Sequence, residues 1–164
     1  MPFNTVSFTN PTLYIPPIRY SPTFQATGLT FTGTNATYPT YNSYYVKQGY
    51  LVSFWIDINL STVTNFGTGQ YKVDLPFPPH VGTLNHFPGW VWYDPTLGDP
   101  DLANHIILNV DHLPGSQTLD IHWLGGDTPT PKPVREFMFT GTSPYTLTTA
   151  SKIYINGTYF TDIL

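Results

Sequence analysis

VKQGYLVSFWIDINLSTVTNFGTGQYKVDLPFPP, residues 46–79, decides the fold. Val52, Phe54, Ile56, Ile58 and Leu60 alternate with Ser53, Trp55, Asp57 and Asn59, the two-residue period that sends one row of side chains into a core and the other away from it. Tyr71, Val73 and Leu75 repeat the pattern around Lys72 and Asp74. Between the two runs, Asn65-Phe66-Gly67-Thr68-Gly69 supplies residues that tolerate positive φ. The stretch reads as a hairpin of a β-sandwich, with Phe54 and Ile56 inward and Trp55 on the opposite face.

Outward from this segment, short strand-like runs recur between Gly, Pro and Asn clusters, the spacing of an all-β sandwich or barrel. Strands are expected near 24–33, 41–48, 50–62, 69–76, 87–93, 103–112, 117–124, 134–140 and 151–161, and no helical period persists. In the last run Ile153, Ile155 and Tyr159 alternate with Tyr154, Asn156 and Thr158. So regular a strand should be central, with Gly157 marking a bulge or a close backbone approach. Residues 1–22 differ: Pro2, Pro11, Pro16, Pro17 and Pro22 interrupt Phe3, Phe8, Leu13, Tyr14 and Ile15. Proline removes backbone donors, so these residues read as an extended arm and not a central strand. The arm is too apolar for a disordered tail and should lie ordered against a neighbouring subunit or its own domain. Residues 23–164 form the sandwich.

The chain of 164 residues fits one domain. It has no cysteine, which excludes a disulfide framework and thiolate metal ligation. Aromatic residues make up 16% and charged residues 10%, where soluble domains carry about 25% charged. A surface so poor in charge favours a subunit of a larger assembly. With a net charge of −4 and six scattered Lys or Arg, no basic stripe can neutralise phosphates, and nucleic acid is not an expected partner. The N-terminus lacks the pattern of a standard signal peptide, and no apolar run approaches the roughly 18 residues that span a bilayer, so no membrane insertion is expected.

No catalytic residues, metal site or cofactor are expected. Glu136, the sole Glu, reads as a surface ion-pair partner of Arg135, and one carboxylate cannot make a glycosidase pair. Asp57, Asp74 and Asp120 fall on polar rows facing solvent or a subunit neighbour. Of His80, His86, His105, His112 and His122, the pairs His105–His122 and His112–His122 are those that adjacent strands could bring together. Without Cys or a close His pair, zinc is the weaker reading unless a trimer axis gathers one His from each subunit. There is no Gly-x-Ser-x-Gly elbow. Trp90 and Trp92 read as core or subunit interface, with stacking on sugar as the alternative. Two long Pro-rich loops are the candidate ligand-facing elements, carrying Trp92, Asp94, Asp99 and Asp101 in the first and Asp127 in the second. Asp-Pro turn chemistry explains the first three carboxylates better than calcium does.

Taken together, Tyr45-Val46-Lys47-Gln48-Gly49-Tyr50-Leu51-Val52, Asp57-Ile58-Asn59-Leu60-Ser61, Gly67-Thr68-Gly69-Gln70-Tyr71, Leu75-Pro76-Phe77-Pro78-Pro79 and Ile153-Tyr154-Ile155-Asn156-Gly157-Thr158-Tyr159 resemble a family of tailed-bacteriophage virion proteins. The match covers roughly residues 30–160 and departs at Gln48, where the family commonly has Ile. The resemblance implies an antiparallel jelly roll of the tumour-necrosis-factor type and a homotrimer, assembled in the host cytoplasm and located on the virion. It further implies a non-enzymatic capsid decoration or head-fibre protein bound to the major capsid or another virion protein. The alternative is a receptor-binding fibre tip that recognises a host surface glycan. The short arm favours decoration, because fibre tips ordinarily follow long shafts.

Overall fold

The computed structural model describes residues 15–31, 40–92, 105–125, 135–141 and 146–164. Their strands are β1 Ile18–Tyr20, β2 Phe24–Gln25, β3 Leu29–Phe31, β4 Thr40–Tyr41, β5 Ser43–Gln48, β6 Leu51–Asn59, β7 Val63–Phe66, β8 Lys72–Asp74, β9 Asn85–Trp92, β10 His105–His112, β11 Thr118–Gly125, β12 Arg135–Met138 and β13 Lys152–Phe160. All pairings are antiparallel, in the order β1-β5-β6-β13-β9-β10-β11-β8-β2; β12 adds to β11, β4 adds to β6, and β3 with β7 forms a separate pair. No helix among the described residues is long and apolar enough to cross a membrane.

Buried side chains occupy one face of the large sheet from β6 across to β2. Ile58 opposes Ile153, Ile153 opposes Val91, and Val91 opposes Ile106. Val110 sits between Phe87 and Ile121, Leu119 opposes Val73, and Val73 opposes Phe24. A sheet apolar on one side hides that side by curling over itself. The result is an all-β antiparallel fold of the jelly-roll-like sandwich kind, closed over one core. Its centre is aromatic: Phe54 meets Phe87 edge-to-face at 5.0 Å, Tyr159 packs on both, and Phe24, Tyr71 and Phe139 form a second group. As expected, Phe54 and Ile56 are buried, Trp55 points outward, and β13 is central between β6 and β9.

The expected hairpin over residues 46–79 is not formed. β6 pairs with β5 across a tight turn at Gly49, where φ is 59°, and with β13 on its other side. After β6, the Asn59 side chain accepts a hydrogen bond from Ser61 N at 3.0 Å and the chain winds through a 3-10 turn at Leu60–Thr62. β7 then pairs with β3. Gly67 does reverse the chain, at φ 67°, and a Cβ there would stand 2.4 Å from the Thr27 carbonyl oxygen. The reversal delivers β8 between β11 and β2, not onto β6. Alternation fixes which face a residue occupies, but it carries no information about which strand lies alongside.

The arm also differs in part from expectation. Ile18–Tyr20 is an edge strand on β5, in register from Ile18 opposite Tyr45 to Tyr20 opposite Ser43. Tyr20 meets Tyr45 edge-to-face at 5.8 Å, so the sandwich begins before residue 23. Ile15 is half-buried; Phe3, Phe8, Leu13 and Tyr14 lie outside the described residues.

Three separated motifs converge at one joint. Phe77 of the Leu75–Pro79 segment meets Tyr45 edge-to-face at 5.2 Å and lies under the Lys47 ammonium. Tyr159 donates its hydroxyl to Phe77 O at 2.8 Å, Thr161 Oγ1 donates to Pro78 O at 2.7 Å, and Thr161 N donates to Tyr50 O at 2.8 Å. Burial raises the Tyr159 phenol pKa, and the Phe77 backbone hydrogen bond lowers it in part. These residues serve the fold, tying the β5–β6 turn and the chain after β8 to the end of β13.

Candidate binding surfaces on the outer sheet face

The strands that bury one row expose the other, and register sets what stands together outside. Asp57, Tyr154, Trp90 and Ile107 form one row across β6, β13, β9 and β10. Asn59, Lys152, Trp92 and His105 form the next. Trp90 stacks on Tyr154 at 5.3 Å. Trp55 is 48% exposed, Trp90 38% and Ile107 63%, where an antiparallel sheet facing water would carry polar residues. Trp90 and Trp92 therefore do not belong to the core; Phe87, Gly89 and Val91 take the inward positions of β9. Trp90, Trp92, His105, Lys152 and Tyr154 line a shallow depression of about 280 Å³. A second depression of about 420 Å³, almost wholly apolar, is bounded by Pro17, Tyr44 and Trp55. Partial burial on this face raises the Asp57 pKa, with Lys152 pulling it down, and raises that of Tyr154 through burial and then through Asp57.

At the opposite end of β9 and β10 the outer face is polar. Asp111 accepts a hydrogen bond from His86 Nδ1 at 2.6 Å through Oδ1, while its Oδ2 lies 3.2 Å from His122 Nδ1. That Nδ1 is buried yet has no aligned hydrogen-bond partner, so the close approach to Asp111 is an ion-pair distance without hydrogen-bond geometry. His122 Nε2 faces Gln70 Nε2 at 2.8 Å. The Asn109 amide donates to Asp111 Oδ1 at 3.0 Å and to Glu136 Oε1. One ligand-type atom from each of Asp111, His122 and Glu136 falls within 4.8 Å of the others. Asp120, opposite Asp111, pairs with Lys72 at 2.8 Å.

Other expected residues have local roles. His112 is fully buried, contacting Ser116 O at 2.6 Å and Asn85 Nδ2 at 3.3 Å. His112 opposes Leu119, so it points inward while His122 points outward, and the expected His112–His122 pair cannot form. His105 stands beside Trp92 and not His122. Glu136 turns toward Asn109 and the polar cluster; the side chain of Arg135, its expected ion-pair partner, lies outside what the structure describes. Asp74 accepts from Thr118 Oγ1 at 2.9 Å. His80 and Val81 N hold Asp162, whose pKa they lower. Asp94, Asp99, Asp101 and Asp127 lie outside the described residues, and Trp92 is half-buried beside the depression.

Sequence reasoning missed the His86–Asp111–His122–Glu136 group. Its signal was parity: the Leu113–Ser116 turn sets Asp111 opposite Asp120 and Asn109 opposite His122, so the Asp111 carboxylate, the Asn109 amide and the His122 imidazole share one face. No family model, curated protein or solved structure matches this chain.

Proposed function

We propose that the protein is a non-enzymatic structural subunit that associates with copies of itself through the aromatic half of its outer sheet face. The observation that carries this reading is the set Trp55, Trp90, Tyr154 and Ile107, solvent-facing in a single chain and accompanied there by few charges. Interface centres are rich in aromatic side chains and depleted in charge, and contiguous exposed apolar surface on a soluble domain marks a binding site. Together with the motif resemblance, this favours a homotrimeric capsid decoration or head-fibre protein of a tailed bacteriophage, joined to the major capsid or another virion protein by its N-terminal arm. The placement on a virion rests on the resemblance alone and is an analogy of fold and motif.

Light scattering and native mass spectrometry test the association: a trimer is expected, and Trp55→Ser with Trp90→Ser should yield folded monomer. A wild-type monomer at micromolar concentration refutes the reading. Electron microscopy of particles carrying the protein tests its location. A second reading, a glycan-binding fibre tip, is favoured by the stacked Trp90–Tyr154 pair beside Trp92, a platform on which a sugar face could stack. Loss of cell adsorption on Trp92→Ala, with the trimer intact, would select it.

A further inference from the structure

We propose that Asp111, His122 and Glu136 bind a divalent transition-metal ion of the zinc type, with His86, Asn109 and Gln70 holding the three ligands in place. This site stands on observations separate from those behind the proposed function. The donor atoms come from three neighbouring strands and lie within 4.8 Å of one another. Two donors bound tetrahedrally to one zinc at about 2.0–2.2 Å stand about 3.4 Å apart. His122 Nδ1 and Asp111 Oδ2 stand 3.2 Å apart. They are not aligned as a hydrogen bond, and the nitrogen is buried with no other partner. A pair placed for hydrogen bonding would ordinarily hold its N–H···O angle above about 150°. This pair has the spacing of two ligands on one ion.

The surrounding contacts are those that orient metal ligands. His86 donates to Asp111 Oδ1, which leaves Oδ2 for the ion. The Asn109 amide bridges the carboxylates of Asp111 and Glu136. Gln70 stands on the far nitrogen of His122. In the metal-free state its amide NH2 donates to Nε2, so the ring proton sits on Nδ1. With Nδ1 on the metal, the proton moves to Nε2, and a half-turn of the Gln70 amide offers Oε1 as acceptor. That turn gives up one long contact, Gln70 Nε2 to Ile121 O at 3.4 Å.

Charge points the same way. Asp111 and Glu136 add two negative charges beside Asp120, whose own charge is met by Lys72. A divalent cation neutralises the remaining pair. Imidazole in the donor set favours zinc and its neighbours over calcium or magnesium, which take oxygen shells. Three protein ligands leave a further position for water. The bound ion would fasten β12, which among the described residues pairs along β11, to β10 and β11.

The test uses the full-length protein stripped with chelator, titrated with Zn²⁺ by calorimetry and with Co²⁺ by visible absorption. Saturation near one ion per chain is expected, with the intense d–d bands of low-coordinate Co²⁺ and a higher melting temperature in Zn²⁺. His122→Ala and Glu136→Gln should abolish the bands. Gln70→Ala should weaken binding roughly 10–100-fold, the usual effect of removing an orienting partner. His105→Ala, outside the cluster, should leave the Co²⁺ bands and the Zn²⁺ affinity unchanged. Glu136 is exposed on a strand margin, so its variant keeps the test decisive if His122→Ala does not fold. Absence of Co²⁺ bands, or binding unaltered in Glu136→Gln, overturns the proposal.

Discussion

Gly157→Ala sets two opposed effects against each other, and the structure decides the sign. In a strand interior, alanine is favoured over glycine by about 0.5–1 kcal/mol, so propensity alone predicts a more stable protein. A Cβ at Gly157, however, would stand 2.2 Å from Phe87 Cδ1, 2.8 Å from Phe87 Cε1 and 3.0 Å from Phe54 Cε1, where carbon atoms settle at about 3.5–4.0 Å. The rings have no room to retreat. Phe87 and Phe54 are buried edge-to-face against each other, and Tyr159 behind them is fixed by its hydrogen bond to Phe77 O. Overfilling a close-packed core costs about 1–3 kcal/mol. An approach as close as 2.2 Å puts the cost in the upper half of that range, so the net expectation is a loss of about 1–2.5 kcal/mol, a fall in melting temperature of about 2–10 °C for a chain of this size. Urea titration should show a lower midpoint at unchanged slope. Phe87→Leu in the same chain should recover part of the loss, with a coupling of about 0.5–3 kcal/mol in a double-mutant cycle. A Gly157→Ala protein as stable as wild type, or more so, would refute the aromatic packing described for the core.

Two further outcomes follow from the outer face and the arm. Burial raises the Asp57 pKa, so the folded protein holds that proton more tightly than the unfolded chain and ionisation opposes folding. The penalty is absent below the ordinary carboxylate range and complete above the raised value. Asp57→Asn should therefore raise the melting temperature at neutral pH, with the gain disappearing in acid; a less stable variant at neutral pH contradicts this. Deleting residues 2–14 should leave thermal melting unchanged, whereas deleting 2–20 also removes β1 and the Tyr20–Tyr45 contact and should lower it. Equal melting of the two truncations would mean that β1 contributes nothing to the sandwich. Loss of particle binding in the shorter deletion is the outcome expected of an attachment arm.

What the sequence made legible was local. A two-residue period placed Phe54 and Ile56 inside and Trp55 outside, and the regularity of residues 151–161 announced a central strand. The partners were not legible, because β6 meets β13 about a hundred residues away along the chain, and nothing in the alternation of either strand names the other. The turn at Leu60–Thr62 was hidden for a different reason: Leu60 continues the inward row of β6 and is fully buried, although the backbone has already left the strand. Trp90 and Trp92 show the limit of composition, since large aromatic residues suggest burial and only Phe87 and Val91 on the other parity reveal which row is inside. The polar cluster needed the β10–β11 register, which turns His112 inward and His122 outward although both are histidines on neighbouring strands.

That register also keeps the two outer surfaces apart. Trp90 opposite Ile107 and Trp92 opposite His105 lie toward one end of β9 and β10, where β13 is still paired to β9; His86 opposite Asp111 lies toward the other, beyond the last β13–β9 pair at Ile155 and Gly89. Asn109, opposite Pro88, is the member of the polar group nearest the aromatic end. A second copy seated on the aromatic end need not cover the carboxylate–imidazole end, and an ion at that end need not touch the aromatic contact. The two proposals can therefore fail separately. Trp90→Ser should disperse the oligomer while leaving Co²⁺ bands in place, and Glu136→Gln should remove the bands while leaving the oligomer intact. If either substitution abolished both properties, the two ends would be coupled through the shared strands β9 and β10, and the view of them as independent surfaces would have to be given up.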